Sequence, residues 1–77
     1  MTILHFNLPA SQHATLHVYD VQGRLVRTLI DEVRPAGAGE ARWDGLDQSG
    51  QGVASGTYFA RLTSGAQTSV KTLTLVR

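Results

Sequence analysis

Between Trp43 and Tyr58 the chain runs Asp-Gly-Leu-Asp-Gln-Ser-Gly-Gln-Gly-Val-Ala-Ser-Gly-Thr, two large aromatics held apart by a stretch rich in glycine and short polar residues. Such a stretch cannot be helical. Gly45, Gly50, Gly52 and Gly56 reach left-handed backbone at no steric cost, and Asp44, Asp47 and Ser49 have side chains short enough to accept nearby backbone N–H groups. It therefore reads as an ordered loop between a strand that ends in Trp43 and another that begins near Tyr58.

The rest of the chain repeats that grammar. Leu4, Phe6 and Leu8 alternate with His5 and Asn7 until Pro9, which places a strand over 3–8. Ala14, Leu16 and Val18 alternate with Thr15, His17 and Tyr19 in a second strand. Pairing these two about Ser11 sets Leu4 against Val18 and Phe6 against Leu16 on one face, and His5 against His17 on the other. Asp20-Val21-Gln22-Gly23 has the chemistry of a type I turn closed by a left-handed glycine. A third strand follows over 24–30. Its apolar residues Leu25, Val26, Leu29 and Ile30 also fit a helical period, but the run is short and β-branched twice, which favours a strand. Residues 31–39 read as a loop broken by Pro35, Gly37 and Gly39, and Ala41 and Trp43 share one face of a short fourth strand. Tyr58, Ala60 and Leu62 mark a fifth strand, a turn falls at Thr63-Ser64-Gly65-Ala66, and Leu73 and Leu75 mark a last strand over 70–76.

Short strands with turn signals every eight to twelve residues imply an all-β fold, an antiparallel immunoglobulin-like sandwich of six to seven short strands. Its expected core is Phe6, Leu8, Leu16, Val18, Val26, Trp43, Tyr58, Leu62, Leu73 and Leu75, and its expected turns centre on Asp20, Gly23, Gly45, Gly50 and Gly56. At 77 residues the whole of 1–77 is expected to form one domain.

Several functions are disfavoured. Seven basic residues against six acidic ones leave a net charge of +1, no footprint for nucleic acid or an anionic membrane. No cysteine is present, so thiolate zinc sites, thiol nucleophiles and disulfides are excluded. No apolar run approaches the roughly 20 residues a spanning helix needs, so direct membrane insertion is not expected. Met1 to His5 lacks the basic start and apolar core of a signal peptide.

Asp44 and Asp47 near Gly50 are the oxygen-rich candidates for calcium, but the dense acidic spacing and closing glutamate of a calcium loop are missing, which favours Asx-turns. His5 and His17, with His13 nearby, fall short of the four ligands zinc prefers. No serine sits in a nucleophile elbow and no carboxylates pair, so neither an enzyme nor a cofactor is expected. Trp43 and Tyr58 would form a sugar-stacking platform only if solvent-facing. Tyr19 and Phe59, on strand faces opposite the core, are the better candidates for an aromatic contact.

Phe6-Asn7-Leu8-Pro9, Val18-Tyr19-Asp20-Val21-Gln22-Gly23, Pro35-Ala36-Gly37, Trp43-Asp44-Gly45, Ser55-Gly56-Thr57-Tyr58-Phe59 and the ending Lys71 to Arg77, taken in that order, resemble the FlgD-type Ig-like domain over almost the whole chain. That family takes its name from the flagellar hook-capping protein, and similar modules close large secreted bacterial proteins, where they resemble the C-terminal sorting domains of type IX secretion. The resemblance implies a non-catalytic module at the C-terminus of an exported protein, extracellular or on the cell surface, with its export signal in a longer parent. It would act in sorting, attachment or assembly, its partners being the parent polypeptide, the secretion apparatus or further copies joined through strand edges. A carbohydrate-binding module and a flagellar hook-cap scaffold domain are the alternatives. An Asn-Pro-rich lead-in usual in such domains is missing before the first strand, which by the resemblance implies either a trimmed chain or a boundary drawn inside the domain.

Overall fold

The computed structural model of the protein describes residues 2–76; Met1 and Arg77, the last residue of the closing motif, lie outside it. Six strands follow in order: β1 (Thr2–Leu8), β2 (Gln12–Tyr19), β3 (Leu25–Arg34), β4 (Gly37–Trp43), β5 (Gly56–Ser64) and β6 (Gln67–Leu75). They form a two-stranded sheet, β1-β4, and a four-stranded sheet in the order β3-β2-β5-β6, all pairs antiparallel. The described residues contain no helix. This is the all-β antiparallel sandwich that the alternation implies.

The core lies between the sheets. Leu4, Leu8, Ala41 and Trp43 from the small sheet meet Leu16, Val18, Ile30, Tyr58, Ala60, Leu73 and Leu75 from the large one. Trp43 is fully buried and stands edge-on to Tyr58, ring centroids 5.1 Å apart at 71°. Its indole N–H donates to the carbonyl of Leu46 at 3.0 Å, and the Tyr58 hydroxyl donates to the carbonyl of Ala54 at 2.6 Å. Each ring thus buries an apolar body while its polar tip is satisfied by the loop that joins β4 to β5. Phe6, Val26 and Leu62 are half-buried and pack against this core from its margin.

The first two strands do not pair with one another. β1 pairs with β4, so that Phe6 faces Gly39, Leu4 faces Ala41 and Thr2 faces Trp43. The chain crosses between sheets at Pro9–Ser11, and β2 pairs with β3 and β5. Large residues on β1 meet small ones on β4 and the reverse, which fills the gap better than the large-on-large pairs of a β1/β2 hairpin. His5 therefore stands opposite Glu40, and His17 lies on the other sheet, opposite Thr28 and Arg61. The two histidines cannot share a metal.

Most of the loop expected over 31–39 is strand. β3 runs on to Arg34 and β4 begins at Gly37, so that only Pro35 and Ala36 join them. Two irregularities in the β2/β3 register leave Val26 and Leu29 without direct partners on β2. Each extra residue flips the side-chain alternation, which is why β3 carries apolar residues at a helix-like spacing while remaining a strand. The turn after β5 is the two-residue Gly65-Ala66, with Gly65 at a φ of 59° in the first central position, where a type II′ hairpin wants glycine.

Candidate functional site

Most inward-facing residues of the large sheet are spent on the core, so its broadest free surface is its outer face. The register assembles that face in rows. Leu25, Tyr19, Phe59 and Thr72 lie side by side across β3, β2, β5 and β6, and the next row is Thr28, His17, Arg61 and Val70. Tyr19 and Phe59, separate candidates in the sequence, are direct cross-strand partners. Both are half-buried, while Leu25 and Val70 at either end are 51% and 60% exposed. The His17 ring meets Tyr19 edge-on at 6.1 Å, and its Nδ1 lies 3.0 Å from the Thr28 hydroxyl. The result is a shallow apolar band with a cation beside it. The sequence singles out neither Arg61 nor Val70, names Leu25 only as a strand residue and His17 only as a metal candidate, although His17 and Arg61 each stand two residues from an aromatic already placed outside, and alternation alone puts them there.

Charge sharpens the picture. Asp20 pairs with Arg24, Asp31 with His13, Glu32 with Arg34, Glu40 with Arg42, and Asp44 with Arg27. The sixth carboxylate, Asp47, is held by Ser49 and Gln51. Among the described residues, Arg61 and Lys71 are the two Lys or Arg side chains without a carboxylate partner.

Asp44 and Asp47 work as turn residues. Asp44 Oδ1 accepts the N–H of Leu46 at 3.1 Å, and Asp47 Oδ1 accepts the N–H groups of Ser49 and Gln51, both at 3.0 Å, and the Ser49 hydroxyl at 2.7 Å. Their lone pairs point into the chain's own backbone, not toward one another. The described residues hold no group of three or more His, Cys, Asp or Glu arranged for a metal ion. The Ser49 hydroxyl, ahead of the N–H groups of Gln51, Ser49 and Gly50, holds the Asp47 carboxyl below its ordinary value. Asp20 is lowered likewise, first by the N–H of Arg24, then by the N–H of Gln22 and the Arg24 guanidinium.

The loop from Asp44 to Val53 is a small hairpin in its own right. Leu46 bridges to Gly52, the Asp47 N–H donates to Gln51, and the Val53 N–H donates to Gly45. It docks on the outer edge of β3, where the Gln48 N–H donates to Val26 and the Gln48 side-chain carbonyl accepts the N–H of Thr28, both at 2.9 Å. Arg27 reaches the carbonyls of Leu46 and Asp47 at 3.4 Å and Asp44 Oδ1 at 3.5 Å. With Trp43 buried and Tyr58 nearly so, neither ring offers a face to a sugar.

The family model of the FlgD Ig-like domain matches residues 3–74. The chain belongs to that family. Among solved structures, the crystal structure of FlgD from P. aeruginosa is similar to it, with a TM-score of 0.76 and 29% sequence identity over 94% of this chain. The chain spans 57% of the length of that FlgD chain. No curated protein matches it. The expectation of an extracellular or cell-surface sorting domain is overturned here: both matches lead to FlgD, the flagellar hook-capping protein, and neither leads to a cell-surface sorting domain. In this chain the Asp20–Gly23 hairpin, Trp43-Asp44-Gly45 and Ser55-Gly56-Thr57-Tyr58 blocks form strands and turns of the sandwich, so they speak for the fold.

Proposed function

We propose that this chain is the Ig-like scaffold domain of a FlgD-type hook-cap protein, a non-catalytic module that holds its parent polypeptide in shape and offers surfaces to neighbouring proteins. The observation that carries this reading is the likeness to FlgD along 94% of the chain. The geometry agrees with it: polar groups of the loops are consumed by turns, and the aromatic pair Tyr19–Phe59 sits beside a cation on an open face. In this role the face from Leu25 to Thr72 is the contact surface, with Arg61 meeting an acidic group of the neighbour.

The test is a chimera in which residues 2–76 replace the Ig-like domain of P. aeruginosa FlgD in a strain lacking FlgD. Restored hook assembly and swimming are expected, and both should fall when the chimera carries Tyr19→Ala and Phe59→Ala. A chimera that is stable and exported at normal levels yet builds no hooks would overturn the assignment.

A further inference from the structure

The small sheet covers only part of the large one. On the inner face, the row Ile30, Leu16, Leu62, Ser69 passes from buried through half-buried to exposed as it approaches β6. The next row, Arg27, Val18, Ala60, Lys71, ends in an exposed lysine. Every residue from Gln67 to Thr72 is exposed, whichever face it is on, whereas Leu73 and Leu75 are buried. Over that exposed half of β6 runs the outer edge of β1, and between them lies a cleft of about 160 Å³ lined by Leu4, Phe6, Leu16, Ala60, Leu62 and Lys71 among others.

That edge has backbone groups to offer. Lys71 Nζ donates to the carbonyl of His5 at 3.0 Å, so His5 turns its carbonyl away from β4. In an antiparallel ribbon the N–H and C=O of one residue point the same way and alternate along the strand, which turns Ile3, His5 and Asn7 to the free edge. The side chain that touches this edge belongs to one of the two described cations with no carboxylate partner. A lysine laid on a strand edge discourages indiscriminate pairing, and it also selects what can pair.

We propose that the β1 edge and this cleft form a docking site for an extended segment of a partner protein that carries a carboxylate between small apolar residues. The segment adds to β1 as a third strand of the small sheet and completes the cover over β5 and β6. Its inward side chains alternate apolar, acidic, apolar: the apolar ones fill the cleft against Leu16, Ala60 and Leu62, and the acid takes the ammonium of Lys71 from the carbonyl of His5. That carbonyl is then free to accept an N–H of the incoming strand. A basic or proline-rich segment is refused, the first by Lys71 and the second because it lacks donors.

The probe is the end-blocked heptapeptide Thr-Val-Thr-Glu-Thr-Val-Thr, titrated to millimolar concentration into the isotope-labelled chain while amide resonances are followed. Shifts are expected at Ile3, His5 and Asn7 and at Ser69 to Lys71. Replacing the probe's glutamate by glutamine, or Lys71→Met in the chain, should weaken binding about two- to five-fold, the range of an exposed ion pair. His5→Pro removes an edge donor without taking a bond from β4 and should abolish binding, the retained spectrum of the remaining amides reporting that the fold survives. No shifts at the highest concentration, shifts confined to His17, Tyr19 and Phe59, or undiminished binding to a folded His5→Pro chain would each overturn the proposal.

Discussion

Asp20, between β2 and β3, and Asp47, between β4 and β5, build the same object. In both, the aspartate carbonyl accepts the N–H of the glycine three residues on at 3.0 Å, and the glycine, Gly23 or Gly50, has a φ of 80° or 87°. In both, the aspartate N–H donates to the carbonyl four residues on, and Oδ1 accepts the N–H groups two and four residues on. An ionised carboxylate accepts these bonds better than a neutral acid, which lowers both groups from the ordinary 3.8. A depressed value in the folded chain means stability that is present above the unfolded value and lost as pH falls through the folded one. The double variant Asp20→Asn, Asp47→Asn should therefore melt below the parent at neutral pH, and the difference should close as pH drops beneath 3.8. A difference that persists in acid would assign the effect to turn geometry instead of charge. Trp43→Ala should cost about 3 to 5 kcal/mol in urea denaturation followed by circular dichroism, because it empties a fully buried site and removes the shorter of the two hydrogen bonds that the Leu46 carbonyl accepts. Gly39→Ala places a methyl group on Cε1 and Cζ of Phe6, whose ring also lies 5.6 Å from the Arg34 guanidinium, so a loss of about 1 to 3 kcal/mol is expected. The Asp-x-x-Gly turns could be read in the sequence because their chemistry is local. The glycine under Phe6 could not, because it depends on a partner more than thirty residues away.

At the scale of elements, alternation identified which stretches are strands and which residues face inward, but not which strand lies beside which. β1 and β2 carry matching apolar patterns either side of a short link, and adjacency in sequence made them look like a hairpin. The true partner of β1 is β4, where Ala41 and Trp43 read as strand but Gly37 and Gly39 are too small to advertise one until the larger residues opposite are known. The candidate face was half legible for the same reason. Tyr19 and Phe59 could each be assigned outward from its own strand, whereas their pairing, and the company of Arg61 and His17, needed the β2/β5 register. The loop before β5 shows how a bulged edge is managed. β3 departs from regular pairing at Val26 and Leu29, and Gln48 supplies at Val26 and Thr28 the bonds that a further strand would otherwise make. Gln48→Ala should cost about 0.5 to 1.5 kcal/mol and speed hydrogen exchange at the Thr28 amide above all others on β3. Equal acceleration along the whole of β3 would mean that the loop stabilises the strand generally and does not act as a local edge cap.

For the whole molecule, the question is whether two sheets of unequal size unfold together. A two-stranded ribbon such as β1-β4 is not stable in water by itself, whereas a four-stranded sheet with an apolar face comes closer to standing alone. Trp43, the one tryptophan, lies on the small sheet with its ring against Tyr58 of the large one, so its fluorescence reports the contact between sheets, while far-ultraviolet circular dichroism is weighted toward the large sheet. Leu73 and Leu75 on β6 are buried in the same core as Leu4 and Leu8, and without β1 and β4 the inner face of the large sheet would meet water as a row of Leu16, Val18, Tyr58 and Ala60. That exposure costs more than the large sheet's own hydrogen bonds return, because their net worth over water is about 1 kcal/mol each and the unfolded chain recovers backbone entropy at roughly 1 to 2 kcal/mol per residue. The two probes should therefore trace one transition in denaturant, with the same midpoint and slope. Fluorescence changing first would mean that the β1-β4 ribbon peels from a surviving sheet. The reverse order is physically closed, since nothing would hold the ribbon together once its apolar support had gone.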